Sequence, residues 1–298
     1  MNVTPSAQLR LLGRFRLECG RQSIELCRNG QRLLAFLSLR ESVPRTVLAG
    51  TLWPEVTEEH ARGSLRTTLW KLPRDELPLV HCCGDVLMVA PALRVDVHVL
   101  TRTALGLVAG GAPPSYRRPP LGLLTGEDLL PGWDEDWVLL ERERLRQLRL
   151  YALDSLAHTL IEQGRTALAM EAAWAGIRAE PLRESAHRVV VSVHLAEGNV
   201  GEALGHYAMF RTLLNEELGI EPSLRFTRLL AERLPYPQDH QRARSTSGGE
   251  HALAWLTPAR TTPRDHSTTA PQHHDRRSTM AATAQNLSLR DHDEHRVD

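Results

Sequence analysis

Several things are scarce in this sequence, and each scarcity excludes a class of protein. Of 298 residues only Lys71 is a lysine, against 35 arginines, which points to a GC-rich genome more than to chemistry. Cysteine is limited to Cys19, Cys27, Cys82 and Cys83, with no CxxC spacing for zinc and no framework of the secreted disulfide kind. No run of about 18 apolar residues occurs, which excludes a membrane-spanning helix. Met1–Gln8 lacks the basic-then-apolar pattern of a signal peptide. Net charge is zero, 36 basic against 36 acidic residues, so a histone-like arm is excluded but a local basic face is not. These absences predict a cytoplasmic, soluble, metal-free protein with no membrane partner. Apolar residues at 42% suffice for packed cores, and the length leaves room for two domains.

Enzyme signatures are missing too. There is no GxxxxGK[ST] phosphate loop, no HExxH and no GxSxG elbow. Gly106-Leu-Val-Ala-Gly-Gly resembles a nucleotide loop only faintly, because the following Pro113-Pro114 forbids the helix that would hold phosphates. Asp291-His-Asp-Glu-His has metal-ligand residue types, but in a polar tail it reads as adventitious. The pair Cys82-Cys83 bridges only with strain. In Trp133-Asp-Glu-Asp-Trp the acids suit a helix start and the tryptophans suit packing, rather than a catalytic carboxylate pair. No enzymatic activity and no cofactor are expected.

Four textures divide the chain. Leu9-Arg-Leu-Leu-Gly-Arg-Phe-Arg-Leu and Ser23-Ile-Glu-Leu alternate at period two and predict strands around the turn Cys19-Gly-Arg-Gln. A short core-facing helix is predicted over Gln31–Leu39, and a second after a Thr46 cap, ending near Pro54. The third spans about 58–72, with Leu65, Leu69 and Leu72 on one face, until Pro73 cuts it. Leu79-Val-His, the turn Cys83-Gly-Asp and Val86-Leu-Met-Val then predict a hairpin. Strands, three helices and a terminal hairpin describe a winged helix. From Val97 to Pro120 a short apolar segment runs into Pro- and Gly-rich chain and reads as a loop or linker. From Leu129 to Leu234 the period is helical, and Gly164/Gly198 and Ala169/Ala203 share a 34-residue offset. That offset predicts stacked helix hairpins of tetratricopeptide type. After Pro235 few apolar residues remain, and the tail reads as disordered.

The third helix carries the functional signal. Opposite its leucines it shows Arg62, Ser64, Arg66, Thr67, Lys71 and, just past its end, Arg74. No acid lies between Ala61 and Pro73, which a merely solvated helix rarely manages. The first forty residues add seven arginines (10, 14, 16, 21, 28, 32 and 40) against Glu18 and Glu25. A basic end inside a neutral whole is what a DNA-binding module requires, and hydroxyls and long cations on one helix face can reach base edges in a major groove.

Leu12-Gly-Arg-Phe, Gln31-Arg-Leu-Leu-Ala, Leu52-Trp-Pro-Glu and Ala61-Arg-Gly-Ser-Leu-Arg-Thr-Thr-Leu-Trp-Lys-Leu together resemble the winged helix of the Streptomyces antibiotic regulatory protein family. Leu129-Leu-Pro-Gly-Trp, Asp136-Trp-Val-Leu-Leu-Glu-Arg-Glu-Arg-Leu, Glu180-Pro-Leu-Arg-Glu-Ser-Ala-His-Arg, Ala196-Glu-Gly-Asn and Glu217-Leu-Gly-Ile-Glu-Pro-Ser resemble its bacterial transcriptional activator domain. The likeness covers roughly residues 9–235. It implies a mainly α protein: an α+β, OmpR/PhoB-type winged helix-turn-helix at 1–96, then an all-α tetratricopeptide-like domain at 97–235. A Pro/Gly-rich loop falls near 109–120, and a disordered tail occupies 236–298. It also implies a transcriptional activator, for example of secondary-metabolite genes, bound to double-stranded DNA. Ser64, Arg66, Thr67 and Lys71 would face bases, and Arg62 and Arg74 phosphates. The wing of His81, Cys83, Gly84 and Asp85 would lie on the backbone or minor groove. RNA polymerase or a second copy would be met through the helical domain. No ATPase domain follows, so ATP is not implied. Two departures stand out: Pro73 falls where relatives continue the helix, and the wing is short and carries Asp85 with two cysteines. They permit a rival reading, a protein-interaction scaffold whose winged helix no longer reads DNA.

Overall fold

A computed structural model describes residues 7–20, 22–73, 78–110 and 119–233. Arg21, Arg74, most of the Pro/Gly-rich loop, the tail and Asp291-His-Asp-Glu-His lie outside the described residues. The chain begins with β1 (Ala7–Arg10), β2 (Arg16–Cys19) and β3 (Gln22–Ile24), an antiparallel meander. The alternating run from Leu9 to Leu17, expected as one strand, is two. Gly13 breaks it by taking φ +87°, a conformation few side chains tolerate, and its N–H donates to the Asp128 carbonyl at 2.7 Å. A Cβ there would lie 1.8 Å from Glu127 Oε2.

Three helices follow: α1 (Arg28–Ser38), α2 (Arg45–Leu52) and α3 (Glu58–Lys71). Between the first two, β4 (Val43–Pro44) joins the hairpin of β5 (Val80–Cys83) and β6 (Val86–Val89) in a three-stranded sheet. Thr46 does not cap α2. Pro44 holds that position with φ already suited to a helix start, and no side-chain cap forms. α3 ends where expected, because the residue before Pro73 is driven extended; Leu72 has φ −67° and ψ 141°.

The stretch after residue 96 departs from the linker expectation. β7 (Arg94–Val95) pairs in parallel with β1, and α4 (Asp96–Val108) is a regular helix containing Gly106. Burial of Val97, Leu100, Ala104 and Leu107 against α6 favours the helix over a loop. The Asp96 carboxylate accepts the amides of Leu11 and Leu12 at 2.9–3.0 Å, fixing the end of β1.

A short α5 (Leu121–Leu124) leads to α6 (Asp136–Glu162), α7 (Thr166–Ala179), α8 (Glu184–Ala196), α9 (Val200–Leu218) and α10 (Leu224–Arg233). Successive helices from α6 to α9 pack as hairpins, with α10 closing on α8. The 34-residue repeat is geometric. Gly164 and Gly198 both have positive φ (69° and 78°). Each is followed by the same bond, Arg165 N–H to Leu160 O and Asn199 N–H to His194 O, both 2.8 Å. These are Schellman ends, which return the chain and need glycine. Ala169 and Ala203 are fully buried at the following close approach.

Winged helix and helical repeat belong to one compact unit and share one core. Phe36 and Trp133 both meet Trp137 edge-on (centroids 5.2 and 6.4 Å), and Phe15 stacks on Trp133. The Arg28 guanidinium lies 3.8 Å above the Trp133 ring. Arg28 and Arg32 both pair with Glu135 (3.1 and 3.0 Å), and buried Glu141 sits between Arg40 and Arg144. Arg142 donates to the carbonyls of Leu129, Leu130 and Trp133. Arg10 and Arg16 flank Glu18. The charge of the basic N-terminal end is therefore largely answered within the fold. Five of its arginines are ion-paired, three of them to the helical domain.

Candidate nucleic-acid interface

α3 is built to show one face. Ala61, Leu65, Thr68 and Leu72 are buried and Leu69 is partly buried against the core, leaving the opposite side in solvent. Glu58 and Glu59 occupy the first turn, where carboxylates answer the helix dipole, and Lys71 the last. Thr68, which looks polar in sequence, is buried because its hydroxyl donates to the Ser64 carbonyl at 2.8 Å.

The residues predicted to meet DNA fall into three groups. Arg66, Thr67 and Lys71 are exposed on the outward face, and Ser64 is half-buried at its margin. The Thr67 hydroxyl donates to Gly63 O at 3.0 Å, while Arg66 and Lys71 have no ion pair among the described residues. Arg62 is exposed but held by Glu58, four residues back, at 2.6 Å. Such exposed pairs are weak, so a phosphate can take the guanidinium over. Arg74 lies outside the described residues. Between the first turn of α1 (Cys27, Asn29) and α3 (His60, Gly63, Thr67, Lys71) runs an open groove of about 500 Å³.

In the wing, His81, Cys83, Gly84 and Asp85 are all exposed, as is Cys82. Gly84 has φ +61° at the two-residue turn. Arg45 braces this hairpin: its amide donates to the Asp85 carbonyl at 2.9 Å, and its guanidinium donates to Cys82 Sγ at 3.6 Å. Sequence reasoning missed Arg45, since the fold alone brings it to the wing. It also missed Trp70, which is 69% exposed on the outward face of α3. The helical period carried that signal, because Trp70 follows Gly63 by seven residues and Thr67 by three.

A second cluster of titratable groups lies between α8 and α9. His187, 1% exposed, stacks on Phe210 with centroids 4.0 Å apart. Its Nε2–H donates to the Pro181 carbonyl (2.8 Å), and its Nδ1 accepts from His206 Nε2–H (3.0 Å). Burial pushes both imidazoles down, and the neighbouring His187 and His194 help take His206 to about 4. Both rings are neutral near pH 7, and the pair is a structural hydrogen bond. Among the described residues no group of three or more His, Cys, Asp or Glu could hold a metal. No helix among them is long and apolar enough to cross a membrane.

Residues 110–234 match the bacterial transcriptional activator domain. The regulatory protein AfsR of Streptomyces coelicolor is 30% identical over 247 residues, 76% of this chain and 24% of that protein. The AfsR of Streptomyces griseus is 31% identical over 204 residues, 64% of this chain and 20% of its own length. The chain thus spans about a quarter or less of these relatives. Among solved structures, Mycobacterium tuberculosis EmbR, in complex with a low-affinity phosphopeptide, superposes with a TM-score of 0.63 at 19% identity. That superposition covers 77% of this chain and 65% of EmbR, and the likeness is one of fold. The molecule is thus a winged helix joined to a bacterial transcriptional activator domain. These likenesses support placing it with the Streptomyces antibiotic regulatory proteins, a family of transcription regulators and not of enzymes.

Proposed function

We propose that this chain is a sequence-specific DNA-binding transcription regulator, and an activator, that docks α3 in the major groove of double-stranded DNA. One observation supports this reading above the rest. The outward face of α3 carries no acid from Ala61 to Pro73, and Arg66 and Lys71 have no ion pair among the described residues, while the arginines of the first forty residues are mostly engaged elsewhere. Ser64, Arg66, Thr67 and Lys71 approach base edges, and Arg62 and Arg74 take phosphates. His81, Cys83, Gly84 and Asp85 lie along the backbone, with Arg45 behind them supplying the positive charge that the wing tip lacks. Activation follows the family, and RNA polymerase or a second copy is met through the helical domain. In this reading residues 1–96 bind DNA, 97–235 transmit the effect and 236–298 form a tail. No cofactor takes part, and the protein works in the cytoplasm.

Fluorescence anisotropy of the full chain with DNA from its own upstream region, against a scrambled duplex at two salt concentrations, tests this. Preference of about a hundredfold that falls steeply with salt is the expected result. Equal, salt-indifferent binding favours the second reading, a protein-interaction scaffold. The specific observation behind that alternative is the wing tip, which carries Asp85 and no arginine or lysine between Val80 and Val89.

A further inference from the structure

Trp70 is the most exposed tryptophan among the described residues, and its surroundings differ from those of the others. Trp133 and Trp137 meet edge-on and contact phenylalanines, Trp174 meets the His206 ring at 5.7 Å, and Trp53 packs against the core. Trp70 has no ring contact, no cation and no hydrogen bond among the described residues. A large apolar ring left in water forgoes the stabilisation of burial, so its position gains meaning from what covers it. Its helical neighbours identify the occupant. Arg66 and Thr67, four and three residues before it, share its face, Lys71 stands beside it, and Gly63 two turns back leaves open space where a Cβ would meet only Arg66 Nη2 at 3.9 Å. A ring set among cations with no ion pair among the described residues, and beside a hydroxyl, fits a surface that is anionic overall and apolar at one point.

The geometry points to Trp70 as a specificity-determining residue that covers the 5-methyl group of a thymine in the major groove. This rests on the DNA-reading assignment of α3 and extends it. Thymine alone among the four bases offers an apolar group there; the other edges are acceptors and donors that an indole face would strip of water without replacement. Along the helix axis Trp70 stands about 6 Å from Arg66, at roughly 1.5 Å per residue. Base steps are about 3.4 Å apart, so the thymine lies within about two base pairs of the position that Arg66 reads.

The test uses the full chain. Duplexes are selected from a randomised pool by the wild type and by the Trp70→Ala and Arg66→Ala variants, and each thymine of the selected duplexes is then replaced by deoxyuridine, which lacks only the methyl. One replacement should weaken wild-type binding about fourfold, the equilibrium worth of burying one methyl, and leave Trp70→Ala binding unchanged. The Trp70→Ala pool should be degenerate at that base pair, with far-UV circular dichroism unaltered. Identical deoxyuridine sensitivity in both proteins overturns the inference. So does a Trp70→Ala loss that is equal on selected and scrambled duplexes, which would mean a backbone contact. A wild-type motif that depends on Arg66 but not on Trp70 removes the inference alone. A wild type that enriches no motif removes the DNA-reading assignment, and the inference with it.

Discussion

The arginines of the first forty residues and the cations of α3 carry the same charge and do different work. Arg28, Arg32 and Arg40 turn inward to Glu135 and Glu141 of the helical domain, and Arg10 and Arg16 share Glu18. Arg66 and Lys71 turn outward, with no acid in reach on their own helix turn. Charge counted along a sequence does not separate these cases, because the partners of Arg28, Arg32 and Arg40 lie about a hundred residues away. What separates them is whether a carboxylate is folded against the cation. The seam holds the molecule together, and α3 is left able to bind something else.

The two tryptophans Trp137 and Trp70 allow the hardest test of that contrast. Trp137→Ala should cost about 3–5 kcal/mol of unfolding free energy, since it empties the junction between Phe36 and Trp133. Trp70→Ala should change it by less than about 0.5 kcal/mol. Urea unfolding measures both, and equal losses would erase the distinction between seam and face.

Acid should weaken the fold through a half-buried histidine of the helical domain. With His206 held at about 4 in the fold against 6.5 when free, the unfolded chain takes up the proton first. This contribution to stability is intact above pH 6.5 and is lost as pH falls from there through about 4. The loss is at most about 3 kcal/mol. A His206→Gln variant should flatten the stability profile across that window. An unchanged profile would mean that another group dominates.

Smaller effects concern binding. Lys71→Ala should reduce discrimination between cognate and scrambled duplexes by about 1–3 kcal/mol, and an equal loss on both would refute base reading. Arg32→Ala should lower stability by about 1 kcal/mol, its pair with Glu135 being largely shielded, without altering affinity for DNA. Arg62→Ala should weaken binding on every sequence and reduce the salt slope by roughly one unit, as measured by titration at several salt concentrations.

Much of the fold was legible because it rests on local rules. Pro73 ends α3, the spacing of Leu65 and Leu72 turns that helix, and glycines 34 residues apart return the chain at equivalent points. What was hidden depended on distant partners. Gly13 splits a strand because residues 127 and 128 close over it, and α4 forms where a linker was expected because α6 covers its apolar side. Trp133-Asp-Glu-Asp-Trp was legible as packing plus a helix start, but not as the joint between two domains, since Phe36, Arg28 and Arg32 come from elsewhere. On α3, Arg66, Thr67 and Lys71 lie where the period puts them. Trp70 was overlooked because large aromatic residues are expected inside.

The most direct test of the division is the salt dependence of DNA affinity for three proteins: wild type, Arg28→Ala/Arg32→Ala and Arg62→Ala/Arg74→Ala, the last pair being the phosphate contacts proposed for α3 and its end. Each removes two positive charges from one region, so net charge is matched between the variants. The seam variant should keep the wild-type slope, while the α3 variant should lose about two units of it, one for each contact removed. Equal changes in both slopes would contradict the account, because the N-terminal arginines would then be facing DNA after all.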